Sequence, residues 1–265
     1  MLSVVKKYIL QFIFVALIAS STAFAQSGLE YGVFVPLGMG ISIHQYDREY
    51  FKSDEEFEKY TTNSATRRRS SVGFEGGVLF NIGYRLALGK NLSMSFLGEI
   101  GYNRDVFSYS LEDSNTNSGV MRLKNYQVFS FDNLVIGVLP KFNFGKMSIG
   151  LGGGVKIPLY GYINSSSFNP VLGYVTDEIS MIKATKLSDY FETPVIPYIK
   201  LVFDSSVYSA ENFDLVLSGY INYDFAINYT NKTVADFGPK QSLSSIDLGI
   251  QLGAKIKPMS RKGRK

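Results

Sequence analysis

Residues 213–229 alternate for 17 positions. One face carries Phe213, Leu215, Leu217, Gly219, Ile221, Tyr223, Phe225, Ile227 and Tyr229, and the other Asp214, Val216, Ser218, Tyr220, Asn222, Asp224, Ala226 and Asn228. A period of two is that of a strand, whose successive side chains point to opposite faces. Ordinary strands have about 5–6 residues. A strand this long with one apolar face suits a tilted bilayer crossing, for which about 9–11 residues suffice.

The pattern recurs at 29–43, 72–88, 92–103, 126–144, 147–159, 194–204 and 244–257, which predicts eight strands. In 126–144, Phe129 and Phe131 are out of step with Leu134, Ile136 and Val138, so a β-bulge is expected near Asp132 and Asn133. The connections fall into two classes. Those at 89–91, 143–146 and 205–212 are short; those at 44–71, 108–125, 162–193 and 230–243 are long. Short turns on one rim and long loops on the other are the asymmetry of outer-membrane barrels. Within the longest loop, 171–184 reads as a hairpin standing above the membrane; were it to cross the bilayer, the barrel would have ten strands. Residues 54–60 read as one or two helical turns anchored by Phe51, Phe57 and Tyr60.

The N-terminus has the layout of a secretory signal: Lys6 and Lys7, an apolar stretch over 8–21, and Ala23-Phe24-Ala25 as a cleavage site. The expected organisation is a signal peptide at 1–25, a barrel at 26–257 and a basic periplasmic tail at 258–265. No apolar run near 18 residues follows the signal, and the chain has no cysteine. Lys6 and Lys7 account for two of the 27 basic residues, so the mature chain carries +2 against its 23 acidic residues. Six basic residues cluster in 255–265 and leave the remainder acidic, which excludes the basic face of a nucleic-acid binder.

Together these features describe an all-β chain: a transmembrane antiparallel up-and-down β-barrel of eight strands, exported to a Gram-negative outer membrane. A lipocalin-like soluble barrel also alternates but turns its apolar face inward. Strand length, loop asymmetry and the glycines on the polar face (Gly32, Gly38, Gly73, Gly83, Gly152 and Gly249 among them) favour the membrane form. In architecture the chain resembles the small eight-stranded outer-membrane barrels, of the OmpX and OmpA-barrel type, or the PorT-like barrels. The OmpX-type resemblance implies a non-enzymatic protein of envelope integrity or loop-mediated binding; the PorT-like one implies a part in secretion assembly. A narrow pore and a barrel-embedded lipid hydrolase are the remaining alternatives.

An eight-stranded barrel has an interior just wide enough for side chains to fill. Candidates for its polar network are Glu75, Arg85, Glu99, Lys156, Lys200, Asp214, Asp224 and Asp247, with Glu30, Asp204 and Lys255 beside them. Both signs are present, as charges in so confined a space require. Arg67, Arg68 and Arg69 precede a predicted strand where the outer leaflet begins, and guanidinium groups pair with phosphate, so contact with outer-membrane lipid and lipopolysaccharide is expected there. A protein partner would meet the long outer loops. Tyr31, Tyr102, Tyr126, Tyr160, Tyr162, Tyr223 and Tyr229 lie near predicted strand ends and suit aromatic girdles. His44, the only histidine, is the one candidate general base for a hydrolase, but nothing in the sequence picks out its partners. Gly150-Leu151-Gly152-Gly153-Gly154 lies within a strand and so reads as structural, not as a phosphate loop. No metal cluster or cofactor fingerprint is present.

Overall fold

The computed structural model describes residues 27–62, 68–111, 126–169, 174–210, 213–230 and 239–256, and the statements below concern these residues. The expected signal peptide and basic tail lie outside them. The strands are β1 (Gly28–Tyr46), β2 (Arg68–Ser70), β3 (Val72–Ala87), β4 (Leu92–Leu111), β5 (Tyr126–Phe144), β6 (Met147–Asn169), β7 (Tyr174–Lys183), β8 (Ile196–Ser209), β9 (Phe213–Asn228) and β10 (Gln241–Ile256). Two short helices, α1 (Asp54–Thr62) and α2 (Ala184–Leu187), stand in the connections.

Eight strands close a ring in the order β1-β3-β4-β5-β6-β8-β9-β10. Every pairing is antiparallel, and β1 joins β10 with Gly38 opposite Gly249. β2 and β7 lie outside the ring: β2 pairs β4 at Arg69 and Ser110, and β7 pairs β6 from Tyr160 and Lys183 to Asn169 and Tyr174. Within the 171–184 segment, β7 is thus the outer arm paired to β6, and the ring of described strands has eight members, not ten. α1 is held by its aromatic residues, with the Phe51 ring 5.3 Å from Phe57 and 5.2 Å from Tyr60.

Three connections extend the strands beyond their expected limits. β4 continues to Leu111, through part of the expected 108–125 loop. β6 continues to Asn169, through the start of the expected 162–193 loop. β8 continues to Ser209, through part of the expected 205–212 connection, and the Ala210 amide donates to the Phe213 carbonyl at 2.8 Å. The 143–146 turn is tight, and Gly145 supplies its left-handed residue with φ 59°.

Polarity runs inside out through most of the ring. Val33, Val35, Leu37, Met39 and Ile41 of β1 face outward and are exposed, as are Phe80, Ile82 and Tyr84 of β3 and Leu215, Leu217 and Ile221 of β9. From Tyr31 to Ile41, β1 climbs about 25 Å along the barrel axis at ~3.3 Å per residue and ~40° of tilt, the height of a bilayer's apolar core. Among the described residues no helix is long and apolar enough to cross a membrane. The crossing is made by strands.

Toward the long-loop rim the pattern inverts. On β4 the inward side chains pass from Asp105 to Phe107 and Tyr109, while outward Ile100 and Tyr102 give way to Arg104. On β5 the inward face runs from Lys141 through Val135 and Asn133 to Phe131 and Phe129, all buried. The register does shift at Asp132/Asn133, but Asp132 pairs Tyr160 and Asn133 pairs Pro158, so the extra residue is Leu159 on β6. β5 itself keeps a single phase, and its aromatic pair faces the lumen. A second shift, between β10 and β9 at Leu243/Ser245, leaves Phe225 and Ala226 both exposed and turns Ile227 and Tyr229 inward. The single face expected over 213–229 therefore ends at Phe225, and Tyr229 is a core residue, not part of a girdle.

These inward residues build a dome. Phe107, Tyr109, Phe129, Phe131, Ile182, Leu187, Phe191, Ile196, Ile227, Tyr229 and Leu243 form one buried apolar cluster across the loop end of the ring. The Phe191 ring lies 5.6 Å from Phe131 and 5.3 Å from Tyr229. α2 delivers Leu187 into it over Gly161, where a Cβ would stand 2.9 Å from Leu187 Cδ2. Here the interior of the barrel is apolar, as in a soluble protein's core.

Candidate functional site

Below the dome the interior is a stack of ion pairs, each set by which strands face one another. At the short-turn end, Asp204 of β8 accepts bonds from Lys141 (2.9 Å), Lys255 (2.6 Å), Ser148 (2.8 Å) and Ser218 (2.8 Å). The Phe34 ring packs 5.1 Å from the Lys141 ammonium. Beside this group, Arg85 and Ser95 donate to Glu30 at 2.9 and 2.6 Å. Asp214 is buried and opposes Lys255 in the β9–β10 register.

One layer further up, Lys200 bonds both oxygens of Glu99, at 2.6 and 2.7 Å, and the Tyr198 hydroxyl donates to the same carboxylate at 3.0 Å. Next to the dome, Lys156 reaches Asp224 at 2.7 Å, Asp105 at 2.9 Å and Asp247 at 3.8 Å. Asn222 ties Asp224 to Asp247 with bonds of 2.6 and 2.8 Å, and Asn133 donates to Asp105 at 2.9 Å. Glu75 closes this layer beside a cavity of about 30 Å³ that Glu99, Lys156, Tyr220 and Gln251 also line. That is room for one or two water molecules.

The eight network candidates are therefore all directed into the lumen, but they do not form a single chain. Lys156 gathers Asp224 and Asp247; Lys200 holds Glu99; Arg85 holds Glu30. Two members were missed. Lys141 follows an apolar Leu139 on the inward face and a proline on the outward face, which disguised its phase. Asp105 lies two residues past the expected end of its strand. In both cases continuing the period of two along the strand, whatever its polarity, would have found them.

Of the three arginines, Arg67 lies outside the described residues, Arg68 begins β2, and Arg69 is exposed opposite Ser110. His44 sits at the loop rim, 3.0 Å from the side-chain oxygen of Gln241, with its ring 4.8 Å from Tyr46 and 5.3 Å from Tyr109. Tyr31, Tyr102 and Tyr160 are exposed on the outer wall. Among the described residues no group of histidine and carboxylate side chains is arranged to hold a metal ion.

An apolar outer wall of bilayer height around a lumen filled with paired charges defines a transmembrane β-barrel protein. No protein-family model matches the chain, and no curated protein matches it in sequence. Solved structures that it is similar to include the outer-membrane protease OmpT of Escherichia coli, at 10% identity and a TM-score of 0.40, over 89% of this chain and 99% of that one. Neisserial surface protein A is similar at 11% identity and a TM-score of 0.34, over 85% of this chain and 98% of that one. The attachment invasion locus protein Ail of Yersinia pestis, in complex with the heparin analogue sucrose octasulfate, is similar at 12% identity and a TM-score of 0.29, over 84% and 98%.

Proposed function

We propose that this protein is a closed, non-enzymatic barrel of a Gram-negative outer membrane that holds a rigid, loop-bearing dome at the cell surface, for envelope integrity or for binding through those loops. The observation that carries the reading is the double closure of the lumen. Charged layers fill the membrane section and an aromatic core fills the section beyond it. A pore needs a continuous wet path, and the cavity beside Glu75 within these layers has about 30 Å³. α1, β2 and β7 stand at the domed end, with the strand ends that the long connections join, where a partner would meet them. Arg69, exposed on β2 beside β4, and Arg67 and Arg68 adjoining it in the sequence contribute attraction for lipopolysaccharide phosphate.

The test is reconstitution of the mature barrel in planar bilayers. Heat-modifiable migration with no stable openings of nanosiemens size is the expected outcome; sustained openings from folded protein would overturn it. Lipid A mass spectra from cells with and without the protein should be identical, and a missing acyl chain or phosphate would restore the hydrolase alternative.

A further inference from the structure

One outward rung crosses four neighbouring strands where the outer wall changes from apolar to polar. Arg104 of β4 pairs Asp132 of β5, Asp132 pairs Tyr160 of β6, and Tyr160 pairs Lys183 of β7. Arg104, Tyr160 and Lys183 are exposed. The Arg104 guanidinium lies 5.1 Å from the centre of the Tyr162 ring and 3.5 Å from Asp132, which also accepts a 2.6 Å bond from the Tyr102 hydroxyl. Immediately below, Tyr102, Ile100 and Leu159 begin the lipid-facing wall.

We infer that Arg104 and Lys183 bind the two phosphates of one bisphosphorylated disaccharide lipid of the outer leaflet, its sugars lying across Tyr160 and Tyr162 and its acyl chains on the wall beneath. The inference rests on the outer-membrane placement proposed above, and its argument is complementarity of charge, length and depth. Three strand spacings of ~4.8 Å separate the two cations by about 14 Å. That matches the span of a disaccharide phosphorylated at both ends and exceeds what a single glycerophosphate headgroup can bridge. Guanidinium over an aromatic ring is held in orientation while its outer edge stays free for phosphate. Tyrosines at headgroup depth present apolar faces to sugar rings and hydroxyls to their oxygens. Asp132 fixes Arg104 but also competes for it, which gives the site a substitution expected to tighten it.

The experiment is native mass spectrometry of the folded barrel released from nanodiscs containing a bisphosphorylated disaccharide lipid, its monophosphorylated form, or phosphatidylglycerol. The wild-type protein should retain the bisphosphorylated lipid about tenfold better than either of the others. R104Q and K183Q should each bring it down to the monophosphorylated level, and D132N should raise it. A triple glutamine variant of Arg67, Arg68 and Arg69 should weaken all anionic lipids alike and preserve the preference. Heat-modifiable migration of each variant shows separately that the barrel is folded and inserted. Equal retention of the two glycolipids by the wild type, or a preference that survives in folded R104Q/K183Q, would overturn the inference.

Discussion

Lys200 and Glu99 meet inside the barrel from strands that are not neighbours in the ring, with the ammonium bonded to both carboxylate oxygens at 2.6 and 2.7 Å. The pair therefore braces β8 against β4 across the lumen. Removing one member leaves the other buried without its counter-charge, at a cost of about 3–5 kcal/mol, whereas replacing both with apolar residues is far less costly. K200M should lower the stability of the folded barrel by that amount in urea titrations, and E99L/K200M should recover most of it. K156M should be worse than K200M, because it strands Asp105, Asp224 and Asp247 together. Equal midpoints for the two lysine variants would show that the layer beside the dome is wetter than its packing indicates.

Glycines on the two faces of the wall should respond oppositely. A Cβ on Gly38 would meet the Tyr220 hydroxyl and stand 2.9 Å from the Leu248 carbonyl, so G38V forces an inward ring and a neighbouring strand apart. Overpacking of this kind costs about 1–3 kcal/mol. Gly219 faces outward with nothing within 4 Å, and G219A should be neutral. The comparison is made by unfolding midpoints in the same lipid.

The depth of the membrane is set by the change of polarity on the outer wall, and arginine substitutions can map it. Leu248 is exposed in the middle of the apolar wall, beside Met39 and Ile221. L248R should cost about 2–4 kcal/mol, as charges at a bilayer midplane do. M181R, opposite Tyr162 above the wall, should lie within ~0.5 kcal/mol of the parent in the same measurement. A large penalty at both sites would move the bilayer toward the loops.

How far the fold was legible depended on height within the barrel. Where the wall is apolar outside and polar inside, alternation located all eight ring strands, and turn lengths supplied the asymmetry of the rims. The boundaries failed where the same period of two reversed its meaning. Phe107 and Tyr109 point inward as dome residues, and a pattern expecting polar side chains there stops too soon; at Phe129 and Phe131 the same reversal reads as a bulge in β5. Two bulges compound this. Leu159 on β6 and the Phe225–Ala226 step on β9 change which parity faces the lumen, and neither is marked by glycine or proline at the position itself. The outward rung of Arg104, Asp132, Tyr160 and Lys183 was invisible for a different reason: its members are scattered over 80 positions and only the register unites them. The ion pairs were legible as a set of charges but not as partners, since a strand's phase tells which side chains enter the lumen and not whom they meet.

The dome has a consequence for how the molecule sits. Its residues come from β4, β5, β7, β8, β9 and β10 and from α2, so it assembles only once those strands have curled toward one another. Once assembled it is a head with its own packed core, standing on a lipid-facing shaft whose interior is charged instead. The barrel is in effect riveted. The buried apolar core at this end opposes the barrel's sliding into the bilayer from that side and fixes the strand ends from which its loops spring.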